Sequence, residues 1–168
     1  EVVRADAHHN ADLFHLRRVG LGALGILTEV TFRVEPLFCL EAEERPVSWH
    51  ELLETFDDLT AAAHHVDVHW FPHTDGALLK ANTRVSDPPS AARPPSRFSA
   101  WWEDDFLSNT VFGAAVRLGV RAPNLVPRIN RFASGVLSPR TYTDVAHRVF
   151  VSPRRVRFKE MEYAVPRE

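Results

Sequence analysis

Between residues 26 and 85 the apolar period of this chain switches from two to about 3.6 and back to two, and that switch constrains the fold more than any other feature. Ile26, Thr28, Val30, Phe32 and Val34 alternate with Leu27, Glu29, Thr31, Arg33 and Glu35, which predicts a half-buried strand. Pro36 ends or bends it toward a second strand, residues 37–43. Ser48-Trp49-His50-Glu51 then has the Ser-x-x-Glu form of a helix capping box. Leu52, Leu53, Phe56, Leu59 and Ala63 follow at helical spacing, predicting an amphipathic helix over 49–63. Val66, Val68 and Trp70 alternate with Asp67, His69 and Phe71, and the turn residues 72–76 lead into a returning strand, 77–85. Val66, Val68 and a buried Trp70 are expected to face the helix, which needs a cover.

Residues 86–97, SDPPSAARPPSR, hold four prolines and no periodicity, so they are expected to form an exposed, flexible loop. Helical stretches near 99–119 and 124–137 are interrupted at Pro123, and a strand-like stretch runs from Arg154 to Val165. This order implies an α+β fold: an antiparallel sheet covered by helices. The chain is 45% hydrophobic and 25% charged, enough for a packed core rather than a disordered chain. Its net charge of −2 argues against binding nucleic acid by phosphate neutralisation. No apolar run approaches the roughly 20 residues of a membrane helix. Cys39 is the only cysteine, which excludes an internal disulfide and points to a cytoplasmic protein.

Few residue patterns suggest chemistry. His65, His69 and His73 are spaced by four, which on a helix would suit one zinc ion. The surrounding alternation makes the segment a strand, where four residues span about 13 Å, while zinc–nitrogen bonds are about 2 Å. No metal site is therefore expected. Arg148, Arg154, Arg155, Arg157 and Lys159 read as a solvated face, and Asp57-Asp58 and Asp104-Asp105 as helix surface. No Gly-x-Ser-x-Gly elbow or Gly-Lys-Ser/Thr loop is present. The run Leu21-Gly22-Ala23-Leu24-Gly25 is a glycine-punctuated turn whose backbone can approach another group closely. A glycine here can equally be a simple helix C-cap.

Three segments carry a resemblance. Residues 21–36, LGALGILTEVTFRVEP, resemble a segment of the sugar-lactone and alditol oxidases, such as L-gulonolactone oxidase, D-arabinono-1,4-lactone oxidase and xylitol oxidase, within the vanillyl-alcohol oxidase flavoprotein superfamily. Trp70-Phe71-Pro72-His73-Thr74-Asp75 is similar to that family's hairpin after the first cap helix, and Glu160 to Glu168 to a strand of its cap sheet.

The resemblance implies that residues 1–36 end an FAD-binding domain and that 37–168 begin the substrate, or cap, domain. It implies FAD as cofactor, approached by the backbone at Gly22, Gly25, Ile26 and Thr28, with His69 and Glu160 toward the substrate pocket. The expected activity is oxidation of a sugar lactone or polyol hydroxyl, with oxygen or another acceptor taking up the electrons. The family's main flavin-anchoring loops would precede Glu1, and its Glu-x-Arg and His-Trp-x-Lys motifs would follow Glu168. The chain thus resembles an internal fragment that carries no catalytic residue and depends on the missing segments of the same enzyme. The alternative is a binding or assembly module without flavin.

Overall fold

The computed structural model describes residues 2–86, 89–157, 159, 161–163 and 165. The chain divides into two units, Glu1–Glu35 and Pro36–Glu168. In the first, α1 (Ala11–Arg17) leads into the glycine turn. The expected strand over 26–34 does not form: no residue from Gly25 to Phe38 belongs to a sheet, and Ile26 is 88% exposed. The alternation is real, but a strand also needs a ladder partner and a cover for its apolar face. Among the described residues it has neither.

The second unit is built on a four-stranded antiparallel sheet in the order β2-β3-β1-β4. Strand β1 is Cys39–Ser48, β2 His65–Trp70, β3 Gly76–Val85 and β4 Arg140–Val145. Helix α2 (Trp49–Ala62) starts where the capping box placed it: the Ser48 hydroxyl accepts from the Glu51 amide at 3.0 Å. It carries the chain from β1 to β2, and β3 returns between them, with Glu44 opposite Lys80 and Lys80 opposite Asp67. Val47, Leu52, Ala77 and Leu79 form the core, with Trp49, Leu59, Val66 and Val68 packed against it. One face of the sheet is thereby sealed by α2. Trp70 faces the helix as expected, with its ring 5.2 Å from that of Trp49, but it is 47% exposed rather than buried. With Trp49, Leu53 and Phe56 it lines a groove.

The turn between β2 and β3 joins several elements. The Asp75 carbonyl accepts from the Trp49 amide at 2.6 Å, and Asn130 donates to the Pro72 carbonyl at 3.0 Å. Gly76 permits this closeness, since a Cβ there would lie 2.6 Å from the Ser134 Cβ.

The helical stretch divides into α3 (Arg97–Ala100), a π-helix (Trp101–Val111), α4 (Phe112–Arg121) and α5 (Val126–Gly135). A final short helix, α6 (Ala146–Phe150), follows β4. Two expectations need correction. The last strand of the sheet is β4, which the apolar pattern did not reveal, whereas the described residues of 154–165 form no strand. The proline-rich segment is partly tied down: residues 89–91 make a short 3₁₀ turn, and the Thr143 amide donates to the Arg93 carbonyl at 3.3 Å.

Candidate functional site

The glycine turn is held from behind. The Arg17 guanidinium donates to the Gly25 carbonyl at 2.7 Å, the Ala23 amide to the Gly20 carbonyl at 2.8 Å, and the Gly25 amide to the Gly22 carbonyl at 3.3 Å. Gly22 and Gly25 have φ of 79° and 97°, the left-handed region that glycine adopts without a Cβ clash. Leu21 shares that region at 48°. The outer side is open: a Cβ on Gly22 would meet no atom within 4 Å. Among the described residues, the amides of Leu21, Gly22 and Leu24 donate no hydrogen bond. Free amides at a bare glycine surface suit a phosphate or a ring carbonyl, so the turn fits the backbone approach expected of a dinucleotide site. Ile26 and Thr28 continue from it, both exposed.

His69 is half exposed on β2, with Nε2 3.0 Å from the Asp67 carboxylate two residues earlier. His65 instead meets the Phe150 ring edge-on at 5.0 Å, and His73 occupies the turn with φ of 67°. The strand keeps the three apart, and no His, Cys, Asp or Glu cluster among the described residues could hold a metal. Glu160 lies outside the described residues.

Sequence reasoning missed the densest charged cluster. It sits on the face of the sheet opposite α2. Arg140 on β4 grips Glu44 on β1 with two hydrogen bonds, Nε to Oε2 at 2.9 Å and Nη2 to Oε1 at 3.0 Å. It also donates to Glu103 and, at 3.2 Å, to Asp104 of the π-helix. Lys80 reaches Glu44 from the other side at 3.4 Å, and the guanidinium lies 5.2 Å from the Tyr142 ring centre. Burial works against ionisation of Glu44, but hydrogen bonds from Arg140 and the charges of Lys80 and Arg140 outweigh it, holding its carboxyl below the usual range. Burial likewise opposes the Arg140 charge, and its carboxylate partners more than restore it. Burial, then the Glu44 charge, pushes the Tyr142 phenol up to about 12. The cluster is internally paired, which suits a structural clamp rather than acid–base work. Its only trace in the sequence is the β-forming run Thr141-Tyr142-Thr143, which marks β4 itself.

Comparison with known proteins defines the class. Over residues 30–168 the chain matches the family model described as D-arabinono-1,4-lactone oxidase. It is 35% identical over 151 residues to an L-gulono-1,4-lactone dehydrogenase of Mycobacterium tuberculosis, covering 90% of this chain and 34% of that protein. It is 26% identical to the L-gulonolactone oxidase of Bos taurus, covering 99% and 37%, and 29% identical to a D-arabinono-1,4-lactone oxidase of Yarrowia lipolytica, covering 79% and 24%. All three are oxidoreductases named for a lactone. The chain belongs to the D-arabinono-1,4-lactone oxidase family, and it spans about a third or less of the length of these relatives.

Proposed function

We propose that this chain is part of an FAD-dependent oxidoreductase that oxidises a carbinol group of a sugar lactone or polyol. The family match over residues 30–168 carries this reading. When bound, FAD would supply the hydride acceptor, with oxygen or another acceptor restoring it. This chain's own part is to hold and orient. The turn at Gly22 and Gly25 would present its free amides and bare backbone to the cofactor, with Ile26 and Thr28 continuing along it. Arg17 keeps the turn in that shape through its bond to the Gly25 carbonyl. His69, and Glu160 further on, would face the substrate. Residues 1–36 would close the cofactor domain and 37–168 open the substrate domain, the groups that take the hydroxyl proton lying elsewhere in the protein. The single cysteine fits a cytoplasmic setting, and no helix among the described residues is long and apolar enough to cross a membrane.

The test is flavin content. Gly25→Ala in the full-length protein places a methyl at φ 97°, which costs about 1–2 kcal/mol in strain. If the turn holds FAD, the variant purifies with less flavin absorbance per protein than the wild type. Full flavin occupancy with only a lowered melting temperature would overturn the cofactor role of the turn. A colourless wild-type protein would overturn the flavin reading as a whole.

A further inference from the structure

The π-helix is long for its kind, since π-turns usually occur singly inside α-helices and often where function requires them. Its wider winding lines up residues five apart: the Ser108 hydroxyl donates to the Glu103 carbonyl at 2.7 Å, and Asn109 Nδ2 to the Asp104 carbonyl at 3.2 Å. One side of the helix, through Glu103 and Asp104, is fixed to Arg140 on the sheet. Another side holds the segment that follows α6. Asn109 Nδ2 donates to the Pro153 carbonyl at 2.8 Å, and Asn109 Oδ1 accepts the Arg155 amide at 2.6 Å. Asp105 pairs with the Arg155 guanidinium at 2.7 Å. Val156 lies in the notch left by Gly113, 3.4 Å from where a Cβ would stand.

A carboxamide that binds the carbonyl of one residue and the amide of the residue two further on imitates the backbone of a parallel strand. Asn109 does this while 8% exposed, so the side chain is committed to the task. It also gives the backbone at 153–155 hydrogen-bond partners without a neighbouring strand: the partner is a side chain.

We propose that the π-helix is a two-sided bracket in which Asn109 is the positioning residue, latching residues 153–156 and so setting the path of the chain after α6. The π winding is what lets one short helix grip Arg140 with residues 103–104 and the segment with 105 and 109 at once.

Amide hydrogen exchange on the native full-length protein tests it. The Arg155 amide belongs to an exposed residue yet is expected to exchange slowly. Asn109→Leu removes both hydrogen bonds to the segment, along with the one to the Asp104 carbonyl, and is expected to speed Arg155 exchange about tenfold or more, with the Leu79 and Ala42 amides unchanged. Asn109→Asp keeps the acceptor and is expected to retain Arg155 protection, a rescue that bulk packing alone would not give. Trypsin should cut after Arg154 faster in the Leu variant than in the Asp variant. Unprotected Arg155 in the wild type would overturn the latch without any variant. So would an Asn109→Leu protein in which Arg155 exchange is unchanged or rises only in step with Leu79.

Discussion

The two faces of the sheet are held by opposite means. Toward α2 the contact is apolar: Val47, Ala77 and Leu79 meet Leu52 with no titratable group between them. On the other face Glu44, Lys80 and Arg140 form a cross-strand row of alternating charge that reaches out to Glu103 and Asp104. Hydrophobic burial is non-directional and tolerates small shifts. A desolvated guanidinium that must satisfy three carboxylates tolerates none, so it fixes where β4 and the π-helix meet the sheet. The comparison shows stability on one face and registration on the other.

The largest expected effect is on the apolar side. Leu79 is 2% exposed, and Leu79→Ala is expected to cost about 3–4 kcal/mol, measured by denaturant unfolding. On the ionic side Arg140→Met leaves Glu44 without its main partner. The two side chains are 19% and 10% exposed, so the cost falls below that of a fully buried pair, at about 2–3 kcal/mol. The double change Glu44→Leu with Arg140→Met is expected to regain most of that loss, because the most deeply buried charges are then gone and Lys80, Glu103 and Asp104 lose their partners only at partly exposed positions. If the double variant were as unstable as Arg140→Met, the row would be contributing net stability and the contrast between the faces would fail. Trp70→Ala sharpens the same line at smaller scale. The ring packs at a tilt against Trp49 but is half exposed, so the cost is about 1–2 kcal/mol rather than that of a buried tryptophan.

This division also decides what was legible in the sequence. Ser48, Leu52, Leu59, Val66 and Val68 announced α2 and its cover, because apolar burial leaves a period and a cap leaves a residue type. Glu44 and Arg140 are 96 positions apart, and nothing local marks them as partners. Asp104 and Asp105 read as helix surface, yet one reaches Arg140 and the other Arg155. The segment after α6 read as a strand because its composition suits extended backbone, but its described residues form no strand, and at 153–155 the Asn109 side chain takes the place of a neighbouring strand. At residues 26–34 the failure ran the other way: the pattern was sound, but a period of two states which side chains share a face and not what covers it. The glycine turn was legible as a turn from its residue types alone. That its outer side is bare became clear only in three dimensions.

The smallest effect separates the faces by pH. The core residues of the apolar face carry nothing to titrate, and the Arg45–Glu51 pair at its edge is partly exposed, so Leu79→Ala should lower stability by much the same amount at every pH. The ionic face responds at both ends. Glu44 has a folded-state pKa below its unfolded value, so its contribution is present above the ordinary glutamate range and is lost as pH falls through the folded value. Tyr142 is raised from 10.0 to about 12, so between those values the unfolded chain releases a proton that the folded protein keeps. Its contribution is complete below pH 10 and is lost as pH rises toward 12. Tyr142→Phe removes that titration. Unfolding free energy measured from pH 8 upward should therefore fall less steeply in the variant than in the wild type, while their acid limbs coincide. Identical alkaline limbs would mean that Tyr142 titrates as it does in water and that this face is wetter than its carboxylate–guanidinium pairing implies.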